Sequence, residues 1–254
     1  MGERTSYTPG TFCWVDLMVA DQNAAKTFYT ELFGWDYEDF PIPEGGVYSV
    51  AQVDGKAVAA IVPPPQPGIP PHWNCYVSVQ DADAAAARAQ ELGATVVLPA
   101  GDVGASGRLA VFQDPQGAML SVWQPGEHFG AALVNGPGLL SWNDLLSPDV
   151  EASAAFYRDL FGWTIEPIPG AEGQYWSIAN ESKTNGGLMP MPPGGHPAWN
   201  LYFGTEDTEA TIARAAELGA QTLMGPMPVP SGKFAVLRDP QNAVFSVVDG
   251  QFDP

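Results

Sequence analysis

Apolar and polar residues alternate in several short runs of the first half of the chain. A period of two residues is typical of a β-strand that buries one face. An Asp54-Gly55 pair separates two of these runs, and Asp-Gly is a strong signal for a tight hairpin turn. The runs predicted as strands are 12–19, 47–53, 56–62, 73–79, 95–99, 108–114 and 118–123.

Two other segments of the first half show the spacing of three or four residues that indicates an amphipathic helix. Asp21 is a suitable N-cap for the first helix, and Gly34 ends it. The second helix is predicted within 81–94 and stops at Gly93. Together with the helices, the seven strands indicate two successive βαβββ modules in the first half, with one strand of the first module not located.

The second half of the chain repeats the first. The segment "FYTELFGW" at 28–35 returns as "FYRDLFGW" at 156–163, and "VFQDPQGAMLSV" at 111–122 returns as "VLRDPQNAVFSV" at 236–247. The offset between matching residues falls only from 128 to 125, so insertions are small. A tandem duplication therefore predicts four βαβββ modules. Shorter matches align 47–51 with 175–179, 72–77 with 198–203, and 89–94 with 215–220.

The repeat predicts two similar domains, at 8–126 and 136–250. The segment between the copies is rich in glycine and proline, which predicts a linker without regular structure at 127–135. A chain of 254 residues is long enough for two ordinary domains, and 45% hydrophobic residues are sufficient for a sizeable core.

Charge and cysteine content narrow the range of partners. The formal net charge of −19 argues against nucleic acid and anionic membranes, since both need a basic patch. No apolar run approaches the roughly 18 residues of a membrane span, and the N-terminus lacks the apolar core of a signal peptide. The two cysteines cannot form a disulfide framework, so we expect a cytoplasmic protein. The expected partner is a small organic molecule, bound by a monomer or a homodimer.

The order of these motifs, present twice, resembles the vicinal oxygen chelate superfamily. This group includes glyoxalase I, extradiol dioxygenases, fosfomycin-resistance enzymes and bleomycin-resistance proteins. The resemblance covers nearly the whole chain and is greatest to tandem two-domain proteins of actinobacteria. It implies an α+β fold of two similar domains, each with two βαβββ modules that form a curved mixed sheet around a cavity, with helices outside.

The resemblance also implies where metal ligands would lie. Metal-dependent members carry His, Gln or Glu ligands at one position in each of three strands. None of the residues at these positions is a usual ligand of a divalent transition metal. We therefore expect no metal and no other cofactor. The six positions fall on Trp14, Asn74 and Ser121 in the first copy and on Trp142, Asn200 and Ser246 in the second.

Strand alternation places an aspartate beside each of these tryptophans. Asp16 follows Trp14, and Asp144 follows Trp142, by two positions, so each pair shares the face that would line a cavity. Burial among aromatic rings would raise the pKa of each carboxyl, which makes both aspartates candidate acids or bases. Three roles stay open for the aspartates. They could contact a ligand cation, transfer a proton, or form hydrogen bonds that only organise the cavity. The candidate ligand-binding residues are Trp14, Asn74, Tyr76, Ser121, Trp123, Trp142, Asn200, Tyr202 and Ser246.

The cysteines alternate with the predicted cavity residues. Cys13 precedes Trp14, and Cys75 lies between Asn74 and Tyr76. The alternation places both thiols on the opposite faces, against the helices. We therefore expect both to be inert core thiols.

Two functions of different classes follow. The first is a glyoxalase-like or bleomycin-resistance-like protein that binds an aromatic or cationic small molecule in a cavity without the usual metal ligands. The alternative is an enzyme of the same superfamily. It would be a metal-independent lyase, isomerase or cyclase that uses Asp16 or Asp144 as the base, or an oxygenase-type hydroxylase or dioxygenase. The sequence leaves open whether the protein is an enzyme.

Overall fold

The computed structural model describes residues 1–42, 46–171 and 173–250. Within these residues, sixteen strands form two mixed sheets of eight, and two short strands form a separate antiparallel pair. The elements of the first half are β1 (Gly2–Glu3), β2 (Phe12–Met18), α1 (Gln22–Phe33), β3 (Asp36–Pro41), β4 (Val47–Val53), β5 (Lys56–Val62), β6 (His72–Ser78), α2 (Ala82–Glu91), β7 (Thr95–Val103), β8 (Gly107–Gln113) and β9 (Met119–Pro125). Those of the second half are β10 (Leu133–Val134), β11 (Leu140–Ser147), α3 (Val150–Phe161), β12 (Thr164–Pro167), β13 (Trp176–Asn180), β14 (Lys183–Pro190), β15 (Ala198–Thr205), α4 (Thr208–Glu217), β16 (Gln221–Val229), β17 (Gly232–Arg238) and β18 (Val244–Asp249).

The two sheets have the same topology. The first sheet has the order β3-β4-β5-β2-β6-β9-β8-β7, and the second has the order β12-β13-β14-β11-β15-β18-β17-β16. In each sheet the first strands of two modules pair antiparallel at the centre, β2 with β6 and β11 with β15. The predicted α+β fold of four βαβββ modules in two similar domains is therefore confirmed.

The helices begin and end as the sequence predicts. Asp21 accepts a hydrogen bond from the backbone of Ala24, which caps the first turn of α1. Gly34 ends α1 with φ 73°, a left-handed conformation that suits glycine. In α3, Asp149 and Gly162 take the same two roles, so the repeat also preserves the capping residues.

The strand pattern did not reveal β3 and the pair formed by β1 and β10. Strand β3 is "DYEDFP", which lacks a regular apolar alternation because it lies at the edge of its sheet and is mostly exposed. Strand β10 lies in the predicted linker and pairs with β1 near the N-terminus. Two-residue strands are too short for a period in the sequence to identify.

The two halves share one hydrophobic core. Tyr29 on α1 packs against Trp73 of its own half and against Phe245 of the second half. Phe12 of β2 packs against Trp199 of β15 with 4.9 Å between the ring centroids. The helix-facing sides of both sheets therefore meet within the molecule. The predicted domain limits at 8–126 and 136–250 stay a prediction.

The predicted orientation of Cys13 is wrong. The register between β2 and β6 shifts between Phe12 and Trp14, and a β-bulge of this kind turns side chains to the other face. Cys13, fully buried, packs with Trp14 and Trp123 instead of with the helices. Cys75 lies in the shared core as predicted, and burial raises the pKa of both thiols. We call the side of each sheet that is turned away from the helices its inner face.

Candidate functional site

The inner face of the first sheet holds a buried polar cluster around Asp16, which is 2% exposed. The pairing of β2 with β6 places Asp16 opposite Asn74, and Trp14 opposite Tyr76. The Asn74 amide donates to Asp16 Oδ1 at 2.8 Å, and the Tyr76 hydroxyl donates to Oδ2 at 2.6 Å. Trp14 Nε1 donates to the hydroxyl of Tyr48 at 2.8 Å. These five residues form the first cluster.

The second sheet holds an equivalent cluster around Asp144, which is 4% exposed. Strand pairing places Asp144 opposite Asn200, and Trp142 opposite Tyr202. Asp144 Oδ1 accepts hydrogen bonds from Trp142 Nε1 at 2.9 Å and from the Tyr175 hydroxyl at 2.6 Å. The Tyr202 hydroxyl faces the same carboxylate and lowers the pKa of Asp144 as a hydrogen-bond donor. These five residues form the second cluster.

Tyr48 and Tyr175 are equivalent residues that the sequence analysis missed. Ser49 pairs with Ile61 in the first sheet, and Trp176 makes the corresponding pair in the second. The tyrosines that precede them therefore occupy the same position. The repeat alignment had matched Tyr48 with Trp176, so it is wrong by one residue. A one-residue gap that aligns the two tyrosines would have revealed them.

Burial dominates the electrostatics of both clusters. It raises the pKa of Asp16 and of Asp144, while the hydrogen bonds from neighbouring hydroxyl groups oppose that shift. Burial and the nearby carboxylate also raise the pKa of Tyr76 well above its usual value, so this phenol keeps its proton and remains a donor. Each aspartate can therefore accept a hydrogen bond, pair with a cation or take up a proton.

The segment after β9 covers the first cluster. The imidazole of His128 packs edge-on against the Trp14 ring, 4.5 Å between centroids, and the His128 carbonyl accepts from Trp123 Nε1 at 2.8 Å. The backbone of Ala131 donates to the Cys13 carbonyl at 2.8 Å, and the Tyr7 hydroxyl donates to the Ala131 carbonyl at 2.7 Å. Trp14 is consequently only 3% exposed.

The remaining predicted residues lie beside the two clusters. Ser121 pairs with Tyr76 in the first sheet, and Ser246 pairs with Tyr202 in the second. Both serines are buried. Ser121 and Ser246 therefore lie next to the cluster tyrosines, while the binding role of every predicted residue stays a prediction.

Two cavities lie close to these elements. One of about 230 Å³ is lined by Asn74 and Ser121 of the first half and by Trp199 of the second. Its lining does not include Asp16 or Trp14. The other, of about 350 Å³, lies between α1 and α4 and is lined by no predicted site residue.

The donor set does not fit a transition-metal centre at the positions that the family uses. The indole nitrogen of Trp14 is a donor and cannot ligate, and the Asn74 amide already bonds Asp16. Ser121 offers a neutral hydroxyl, which is a poor ligand for these ions. Across the described residues, no group of three or more His, Cys, Asp and Glu side chains is arranged to hold a metal. Nor is any helix in those residues long and apolar enough to cross a membrane.

Solved structures with a similar fold include an Mn(II)-bound glyoxalase and a 2,3-dioxygenase. The Mn(II)-bound glyoxalase from Novosphingobium aromaticivorans matches with a TM-score of 0.67 and 18% identity, over 97% of this chain and 85% of that chain. The 2,3-dioxygenase LapB from Pseudomonas sp. KL28 matches with a TM-score of 0.67 and 16% identity, over 98% of this chain and 95% of that chain. At these identities the likeness shows the fold alone.

Sequence relatives define the family. The model of the Glyoxalase/Bleomycin resistance protein/Dioxygenase superfamily matches residues 11–122, and that of the Glyoxalase-like domain matches 143–248. The chain belongs to this superfamily. CFP32 of Mycobacterium tuberculosis (strain CDC 1551 / Oshkosh), which is named a glyoxylase, is 45% identical over 98% of both chains. The anthracycline biosynthesis protein DnrV of Streptomyces peucetius is 33% identical, over 96% of this chain and 95% of its own.

Proposed function

We propose that the protein binds a small organic molecule, aromatic or cationic, in at least one of the two clusters and without a metal. The observation that carries this proposal is the buried carboxylate of each half, which lies between an indole ring and hydroxyl donors. Rings supply a flat apolar surface, and a few fixed polar groups orient a ligand, as in most small-molecule sites.

The relatives support an aromatic ligand. DnrV, and the protein DauV of Streptomyces sp. (strain C5), at 34% identity over 96% of this chain, are both named for anthracycline biosynthesis. An anthracycline is a polycyclic aromatic compound with an amino sugar. It therefore combines a ring system that can stack on an indole with an ammonium group that a carboxylate can bind.

A second candidate function is metal-independent proton transfer. It is favoured by the raised pKa of Asp16 and Asp144, since burial makes each carboxylate a stronger base. The glyoxylase name of CFP32 is in line with turnover. An oxygenase-type reaction gains no such support, because the residues at the inherited ligand positions do not fit the iron or manganese it would need.

The experiment is a fluorescence titration with an anthracycline, on protein treated with a chelator and on protein supplied with Mn(II), Fe(II) or Zn(II). We expect the same dissociation constant in every case and no bound metal by elemental analysis. Stoichiometric metal bound by Trp14, Asn74 or Ser121 would overturn the metal-free site. Failure of the anthracycline and of simpler aromatic probes to bind would overturn the proposed function.

Variants separate the roles of the carboxylates. In the double variant Asp16→Asn/Asp144→Asn, a binding role predicts a loss of about 1.5–3 kcal/mol, roughly tenfold to hundredfold in affinity. A catalytic base predicts nearly intact binding and turnover that falls by about 10² to 10⁴. A purely structural role predicts a lower melting temperature with unchanged affinity per folded molecule. Asp54→Asn is the matched control, since Asp54 is an exposed turn residue.

A further inference from the structure

The two clusters differ in the residue that stands beside them. Trp123 lies two positions after Ser121 and pairs with Ser78. Val248 lies two positions after Ser246 and pairs with the corresponding Gly204. The indole of Trp123 therefore fills a space in the first half. In the second half the much smaller side chain of Val248 lies at the same place.

Trp14 of the first cluster is covered by more side chains than Trp142 of the second. Trp123 and His128 both pack against the first cluster, so that Trp14 is almost fully buried. In the second cluster Trp142 is partly exposed, whereas the tyrosines Tyr48 and Tyr175 are partly exposed in both clusters. The exposed apolar edge is common to both sheets, since Met224 of the second sheet is 46% exposed and Leu98, at the matching place in the first, is 47% exposed. Trp142 is therefore the more exposed of the two tryptophans.

The polar groups of the two clusters are also used differently. Asp16 accepts a direct hydrogen bond at each oxygen, and one of these donors is the amide of Asn74. Both direct bonds to Asp144 go to Oδ1. Among the described residues, the side chain of Asn200 has no hydrogen-bond partner. The second cluster thus has a carboxylate oxygen, Asp144 Oδ2, without a direct bond, on a carboxylate that the Tyr202 hydroxyl also faces, directly across the strand pair from the Asn200 amide.

Gly187 explains much of the difference between the hydrogen bonds of Asp16 and those of Asp144. Asp16 pairs with Ala60, whereas Asp144 pairs with Gly187. A Cβ atom at Gly187 would overlap the Tyr175 hydroxyl and Asp144 Oδ1. The missing methyl group lets Tyr175 bond Asp144 directly, and this contact takes the place that the amide has in the first cluster.

We infer that the second cluster alone receives the ligand, while the first is closed by the chain itself. The ligand is an aromatic molecule that stacks on Trp142, donates a hydrogen bond to Asp144 Oδ2 and accepts one from the Asn200 amide. A ring hydroxyl next to a carbonyl, as in a hydroxyquinone, provides this pair of groups. The inference rests on the proposed function, because it assigns one ligand site among the two clusters.

The test measures stoichiometry and affinity by calorimetric titration. The probes are a sugar-free anthracycline aglycone, which keeps the hydroxyquinone, and unsubstituted anthraquinone, which lacks the hydroxyl. We expect one aglycone per chain and at least tenfold weaker binding of anthraquinone. Asp144→Asn and Asn200→Ala should each weaken aglycone binding at least tenfold, whereas Asp16→Asn should change it less than twofold.

Gly187→Ala provides a test that removes no polar group. The added methyl displaces Tyr175 from Asp144, so we expect at least a tenfold loss of affinity in a folded protein, and Ala60→Gly in the first cluster is the matched control. If Asp144→Asn does not fold, Gly187→Ala and Ala60→Gly still show which of the two clusters binds the ligand. Two sites per chain, or dependence on Asp16 instead of Asp144, would overturn the inference and leave the proposed function standing. Absence of binding by wild-type protein would refute both.

Discussion

The hydroxyl of Tyr29, on α1 of the first half, donates a hydrogen bond to Oδ2 of Asp239 in the second half at 3.1 Å. The same hydroxyl accepts from Trp73 Nε1 at 3.2 Å. The repeat reproduces this arrangement, since the Tyr157 hydroxyl donates to Asp114 Oδ2 at 2.9 Å. Asp114 and Asp239 open the Asp-Pro-Gln turns, so each turn also bonds the helix of the opposite half.

Removal of either hydroxyl should destabilise the whole chain. In Tyr29→Phe, Asp239 Oδ2 and the indole of Trp73 both lose a buried partner, which costs about 1–3 kcal/mol. Tyr157→Phe should cost a similar amount, and urea unfolding measures both. Tyr37→Phe is the control, because the buried Tyr37 hydroxyl has no hydrogen-bond partner among the described residues. Equal stability of Tyr29→Phe and Tyr37→Phe would show that the contact between halves contributes nothing.

Both cysteines should resist thiol reagents in the folded protein. Cys13 and Cys75 are buried, and their raised pKa values keep them protonated at neutral pH. We therefore expect labelling by Ellman's reagent only at the rate of unfolding, with two thiols per chain released in denaturant. Rapid labelling of one thiol in native protein would contradict its position in the structure, and Cys13→Ser and Cys75→Ser would identify which one reacts.

Much of the fold could be predicted from the sequence because the repeat presents the helix and strand patterns twice. The cap residues Asp21 and Gly34 act locally, and the two-residue period requires only a buried face. The orientation of Cys13 was not readable, because a β-bulge depends on the pairing of β2 with β6. The edge strand β3 was not predicted, because an exposed strand needs no alternation of apolar and polar residues.

The candidate site was partly readable for the same physical reasons. The alternation of side chains along one strand predicts that Asp16 lies on the same face as Trp14. That prediction requires no knowledge of the neighbouring strands. The contribution of Tyr48 depends on the register between strands, which the one-residue gap in the repeat obscured. The closure of the first cluster by His128 depends on the path of the linker, and no periodicity encodes that path.

The buried aspartates predict an inverted pH dependence. Because burial raises the pKa of Asp16 above its unfolded value, its contribution to stability is fully present below about pH 3.9. That contribution is lost as pH rises through the folded pKa. Asparagine does not titrate, so the stability of Asp16→Asn relative to wild type should increase between pH 4 and pH 7 in urea unfolding experiments.

Asp39→Asn should show the opposite trend. The hydrogen bond from Lys26 lowers the pKa of the Asp39 carboxyl, so its contribution is present above the unfolded pKa and is lost as pH falls through the folded pKa. The stability of this variant relative to wild type should therefore decrease as pH rises, although the exposed pair makes the effect small. Parallel curves for wild type and Asp16→Asn would indicate that burial does not shift Asp16.

The last prediction concerns His128, which covers the first cluster. Burial lowers the pKa of its imidazole from 6.5 to about 4, and Nε2 has no partner among the described residues. The folded protein holds this ring neutral, so its stabilisation is fully present above about pH 6.5 and is lost as pH falls toward 4. The shift corresponds to at most about 3 kcal/mol. His128→Phe keeps a ring against Trp14 without a titrating group, so its stability relative to wild type should increase by up to that amount between pH 7 and pH 4. Urea unfolding at several pH values measures this difference, in which groups common to both proteins cancel. A difference that does not change with pH would show that His128 is hydrated, and that the linker does not seal the first cluster.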